Sequence, residues 1–151
     1  MKTKHIFLLS TIILFGVAVL LSSFKPFPGE DPWRIDQLME PADLAEFIND
    51  PKAKQLVVIS IGPAAVIKNS LDVGAANEKV NLERLRFELD KLSLDSDVVI
   101  YCGCCPFDHC PNIRPAFTLM NEMKFTNHKL LNLKKNIKVN WIDKGYPVND
   151  N

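Results

Sequence analysis

Two continuous runs of β-branched and apolar residues dominate the pattern of the chain. Leu56-Val57-Val58-Ile59-Ser60-Ile61 is one, and it predicts a strand buried on both faces, ended by Gly62-Pro63. Asp97-Val98-Val99-Ile100-Tyr101 predicts a second, running straight into Cys102. Between them Leu82, Leu85, Leu89 and Leu92 recur at spacings of three, four and three, which predicts an amphipathic helix from Asn81 to Leu92. Upstream, Pro41 suits the first position of a helix reaching Asn49, with Leu44, Phe47 and Ile48 on one face and Asn49-Asp50-Pro51 as its stop. Downstream, Pro111 or Asn112 opens a helix that buries Ala116, Leu119, Met120 and Met123. His128 to Leu133 reads as a further short strand. Asn136 to Lys144 reads as a last helix, closed by Gly145 and followed by Pro147. Short buried strands alternating with helices predict an α/β fold: a small parallel sheet covered by helices on both faces. There is no internal repeat.

The first 24 residues carry a different pattern. Met1-Lys2-Thr3-Lys4-His5 is a short basic start, and Ile6 to Phe24 follows without one charge. A basic start before an apolar run is the pattern of an export signal. The 19 apolar residues also approach the ~20 needed to span a bilayer, so residues 1–24 are expected to be a signal peptide or an N-terminal membrane anchor. Leu21-Ser22-Ser23 matches a cleavage site poorly, which keeps the anchor open, and no Cys lies near enough for lipid attachment. Lys25 to Pro32 holds three Pro and a Gly and forms a linker, leaving residues 33–148 as the domain. That domain is expected outside the cytoplasm, in a bacterial periplasm or secreted, tethered to the inner membrane if the leader stays.

Composition narrows the functional classes. Lys and Arg (18) balance Asp and Glu (18), so a broad electrostatic nucleic-acid binder is not expected. There is no Gly-rich phosphate loop. All four Cys lie between Cys102 and Cys110, which is not a disulfide framework spread across a small fold. They mark a site. The loop Cys102-Gly103-Cys104-Cys105-Pro106-Phe107-Asp108-His109-Cys110-Pro111-Asn112 leaves a strand and enters a helix. In open parallel sheets ligands bind beyond the carboxyl ends of strands. A helix N-terminus there stabilises an anion, so a thiol beside it has a depressed pKa and becomes a better nucleophile. Gly103, His109, Asn112 and Arg114 are the candidate anion-binding residues of this loop. A structural disulfide is the alternative on position alone.

Several segments carry a resemblance. Val98-Val99-Ile100-Tyr101-Cys102 resembles the active-site strand of rhodanese-like domains, in which the sulfur-carrying Cys directly follows a buried strand. Met123-Lys124-Phe125-Thr126-Asn127 looks like the family's segment after the active-site helix, usually Gly-Phe followed by Asn. Trp141-Ile142-Asp143-Lys144-Gly145-Tyr146-Pro147-Val148 is similar to its closing Trp…Gly-Tyr-Pro-Val signature. Val66-Ile67-Lys68-Asn69-Ser70-Leu71 is a weak echo of its His-Ile-Pro-Gly-Ala segment. The resemblance spans Trp33 to Val148 and implies a rhodanese fold with sulfur transfer through a persulfide on Cys102. The chain departs from it too. Ser60 and Gly62 stand where the family has Asp and Arg after the first buried strand. The loop is enlarged, gains three Cys, and holds no Arg, with Arg114 the nearest. Thiosulfate is a dianion, so ordinary thiosulfate:cyanide transfer is not expected.

Two roles remain open for the added thiols. As resolving residues, Cys104, Cys105 or Cys110 would attack an oxidised or sulfur-loaded Cys102, with Cys102–Cys105 or Cys104–Cys110 as the expected bridges. As ligands, Cys102, Cys104, Cys105, Cys110 and His109 would hold Zn²⁺ or Cu⁺, and the domain could then be a non-catalytic binding module. A small sulfur donor or thiol acceptor is the expected partner, besides the membrane if the leader is retained. Among other residues, His109 could be a base, a ligand or a helix cap. His128 is expected to face solvent, Tyr101 to pack beneath the loop, Trp33 and Trp141 to be core, and Lys134, Lys135 and Lys138 to be a solvated face.

Overall fold

The computed structural model describes residues 30–150; the expected leader and the first part of the linker lie outside the described residues. Five strands form one parallel sheet: β1 (Leu38–Met39), β2 (Leu56–Ser60), β3 (Leu71–Asp72), β4 (Asp97–Tyr101) and β5 (His128–Leu131), in the order β1-β5-β4-β2-β3. Four α-helices connect and cover it: α1 (Pro41–Asn49), α2 (Lys79–Leu89), α3 (Ile113–Glu122) and α4 (Ile137–Asn140). Among the described residues no helix is long and apolar enough to cross a membrane.

β4 is central, and its pleat builds the two cores. Val98 and Ile100 point to one face, Val99 and Tyr101 to the other. β2 alternates in step, with Ile59 on the first face and Val58 on the second. The first core is closed by α2 through Leu85 and Leu89, and by α3 through Ile113, Ala116 and Phe117. The second is closed by Leu44 and Ala45 of α1 and by Trp141. Each fully buried large side chain here contributes about 1.5–3 kcal/mol of transfer free energy. Both expected core tryptophans are buried.

The apolar pattern placed most elements. α1 and β4 have the expected bounds, because proline starts the one and uninterrupted burial defines the other. The second helix begins two residues before Asn81 and ends at Leu89; Leu92 packs from the turn that follows it. The expected last helix is interrupted. At Trp141 the backbone leaves the helical region (φ −131°, ψ −63°), and Ile142–Lys144 forms a separate 3-10 turn. The reason is the indole, which is buried and donates Nε1–H to the Pro147 carbonyl at 2.8 Å. Gly145 then takes a left-handed φ of +71° and turns the chain back. Val148 bridges to Ile67, so the closing segment seals the loop after β2.

His128 is a second correction. It is buried, not solvent-facing. Its ring lies 4.6 Å from that of Phe117, and its Nε2 pairs with Asn121 Oδ1 at 2.8 Å. As the first residue of β5 it faces the same side as Leu130, so strand pleat turns it inward. Burial holds its pKa below the ordinary value.

Candidate functional site

The parallel register of β2 and β4 sets the site. Ser60 pairs with Tyr101, and Ile61 continues the ladder by donating its N–H to the Tyr101 carbonyl at 2.9 Å. The two chains therefore leave the sheet side by side, as Gly62 and Cys102. A Cβ on Gly62 would lie 2.9 Å from Cys102 Sγ, so glycine leaves the space that the sulfur fills. Gly103 is held as closely from another side: its carbonyl accepts the Ile137 N–H at 3.0 Å, and a Cβ there would meet Ile137 at 2.9 Å. Beneath the loop the Tyr101 hydroxyl accepts the Ile67 N–H at 3.1 Å and meets Ser70 Oγ at 2.9 Å, as expected for a packing residue.

Four free thiols share this loop. Cys102 and Cys110 are buried, Cys105 is half-buried and Cys104 is exposed. Cys104 Sγ lies 3.3 Å from Cys102 Sγ and 3.1 Å from Cys105 Sγ. The sulfurs of Cys102, Cys104 and Cys110 all lie within 4.8 Å of one another, close enough to hold a metal ion together. The thiol in contact with Cys102 is thus Cys104, rather than the expected Cys105.

Hydrogen bonds divide the protons among these thiols. The neighbouring Cys110 thiol, the Cys104 backbone N–H and the Cys104 thiol favour a charged Cys102, and Asn112 Nδ2 donates to it from 3.3 Å. Against the opposing effect of burial, this pulls the Cys102 thiol from 9.0 down to about 5. Burial, with the neighbouring Cys105 and Cys102, pushes Cys104 up to about 12. Cys110 is raised, chiefly by its bond to Cys102 and then by burial. Cys102 is therefore the thiolate at neutral pH, and Cys104 and Cys110 keep their protons.

Of the expected anion-binding residues, Asn112 reaches the sulfur, Gly103 packs against Ile137, and the two others lie away from it. His109 points to solvent and pairs with Asp108 Oδ1 at 2.8 Å, and it is not in the sulfur cluster. Arg114 is paired with Asp31, and its guanidinium lies 5.3 Å from the Trp33 ring centroid. Trp33 in turn meets Phe107 of the loop edge-on at 6.0 Å. Sequence reasoning missed Gly62 and Asn77, whose backbone N–H binds Asn112. Gly62 was reachable: it follows β2 much as Gly103 follows β4, and pairing the two apolar runs in register brings them together. Comparison with known proteins finds no matching family model, no matching curated protein and no matching solved structure.

Proposed function

We propose that this is a rhodanese-like domain acting outside the cytoplasm, in which Cys102 performs sulfur transfer or thiol redox exchange. One observation carries the reading: Cys102 Sγ sits just past the carboxyl end of the central strand, with hydrogen-bond donors gathered on it. Two further features support it. The Trp141…Val148 segment folds back on the loop after β2. Lys124 adopts a φ of +68° at the place where the family has Gly.

The chemistry follows from the thiolate. Cys102 Sγ attacks the outer sulfur of a small persulfide, R–S–S⁻. The new bond joins Cys102 Sγ to that sulfur, and R–S⁻ leaves with the electron pair of the broken S–S bond. An acceptor thiolate can then take the outer sulfur and return Cys102 to its thiolate. Alternatively, Cys104, once its proton passes to the leaving group, attacks Cys102 Sγ, expels hydrosulfide and closes a Cys102–Cys104 disulfide. The donor is small, because Cys102 is 1% exposed. It carries at most one negative charge, because Arg114 of α3 is paired with Asp31 and His109 of the loop with Asp108. A thiosulfate dianion would find no free partner in either.

The sulfur cluster favours a second reading, a soft-metal site. Cys102, Cys104 and Cys110 would hold the ion, with Cys105 as a fourth donor. Three sulfurs suit Cu⁺, and four would suit Zn²⁺. When bound, such an ion would neutralise the thiolates and tie the loop together.

Intact mass under native and denaturing conditions separates the two. The protein is purified without reductant or chelator and then treated with a small persulfide. Sulfur transfer is expected to add one sulfur atom, removed by reductant and absent from Cys102→Ser. Sulfur retained in Cys102→Ser overturns the assignment. A metal mass lost on denaturation moves the conclusion to the second reading.

A further inference from the structure

The side chain of Asn112 reaches Cys102 from the mouth of α3, and its orientation is fixed by a residue from a different loop. The Asn77 backbone N–H can only donate, and it meets Asn112 Oδ1 at 3.1 Å. The amide therefore presents its NH₂ end to Cys102 Sγ, at 3.3 Å. Asn112 is 5% exposed, so water does not replace either partner. The loop carrying Asn77 is itself tied down. Gly74 (φ +81°) donates to Asp72 Oδ1, Asn81 Nδ2 donates to the Ala75 carbonyl, and Ala76 N–H bonds Ile61 next to Gly62. The donor is thus aimed before any substrate arrives. A neutral thiol is a weak acceptor and a thiolate a strong one, so such a donor selects the charged form.

We infer that Asn112, oriented by the Asn77 backbone, is a positioning residue of the Cys102 site, holding the sulfur in place. This rests on the reading of Cys102 as the reactive thiol. The groups that face the sulfur are the Cys104 and Cys110 thiols and the Cys104 N–H from its own loop, Gly62 from the β2 end, and Asn112 from the start of α3. None of these is a cation. A neutral amide does here what a cationic side chain would do for a dianion, which agrees with a neutral or singly charged sulfur substrate.

The test is alkylation of the full chain by iodoacetamide across pH, with Cys102 followed by peptide mass spectrometry. This probe needs no sulfur donor, so a negative result is distinct from failure of sulfur transfer itself. Asn112→Ala is expected to raise the midpoint of Cys102 reactivity by about one to two pH units and to slow it correspondingly at neutral pH. Asn112→Asp keeps the shape and the acceptor for Asn77 but has no N–H for the sulfur, and it is expected to raise the midpoint as well. A wild-type midpoint in Asn112→Asp overturns the inference, and it does so even if Asn112→Ala fails to fold.

Discussion

A single missing methyl group at Gly62 decides where the Cys102 sulfur sits. The Cβ of an alanine there would stand 2.9 Å from Sγ and 3.3 Å from the Gly103 nitrogen. Sγ ends a short side chain and can rotate away, so the fold survives, at a cost of about 1–2 kcal/mol for the crowding. The rotation takes the sulfur off the Asn112 donor, and a proton then returns to it. Gly62→Ala is thus expected to stay folded in denaturant titrations while Cys102 alkylation at neutral pH falls about tenfold. Unchanged alkylation would mean that the sulfur does not depend on this position. Gly103→Ala differs, because its Cβ would meet Ile137 Cβ at 2.9 Å, an atom that moves only with α4. Both glycines serve space rather than backbone freedom, since neither has a left-handed φ.

Helix α3 carries the site at one end and a strained residue at the other. Its C-terminus closes with the Phe125 N–H on the Met120 carbonyl and the Lys124 N–H on the Asn121 carbonyl. This double closure requires a left-handed residue after the cap, a place that usually belongs to Gly. Lys124 occupies it with φ +68°. Lys124→Gly is expected to stabilise the protein by about 0.5–1 kcal/mol, the side-chain strain removed less the added freedom of the unfolded chain. Equilibrium unfolding in urea measures it, and a loss of stability would show that the lysine earns its place by contacts instead. The element scale also separates what the sequence could reveal from what it could not. α1 and β4 were legible to the residue because a proline start and an unbroken apolar run are local signals. β1 and β3 were not, because two residues at the edge of a sheet are too few to repeat a pattern. The Cys loop was legible as a candidate site from its four clustered thiols. Its support from Asn77 was not, because that contact joins residues 35 apart in sequence through a backbone N–H that any residue but proline supplies. His128 was misplaced for the same reason: a lone polar residue at a strand start gives no sign of the Phe117 ring that covers it.

The proton arrangement of the site reaches the stability of the whole molecule. Folding lowers the Cys102 thiol from 9.0 to about 5, so between those values the unfolded chain binds a proton that the folded one lacks. Stability therefore rises with pH across that window, by at most ~1.4 kcal/mol per pH unit for one proton. Buried His128 acts in the same direction on the acid side, because its lowered pKa makes unfolding take up a proton as pH falls below 6.5. Above 9.0 the sign reverses: the unfolded chain loses thiol protons that folded Cys104 and Cys110 retain. Stability is thus expected to peak near pH 9 in urea titrations run under reductant. Cys102→Ser isolates the contribution of the site. It should flatten the rise between about pH 6.5 and 9 while keeping the acid loss due to His128, and it should shrink the alkaline fall, since Cys110 is raised chiefly by Cys102. Superimposable profiles for the two proteins would mean that folded Cys102 holds its proton at neutral pH, and the sulfur chemistry proposed for it would then lack a nucleophile.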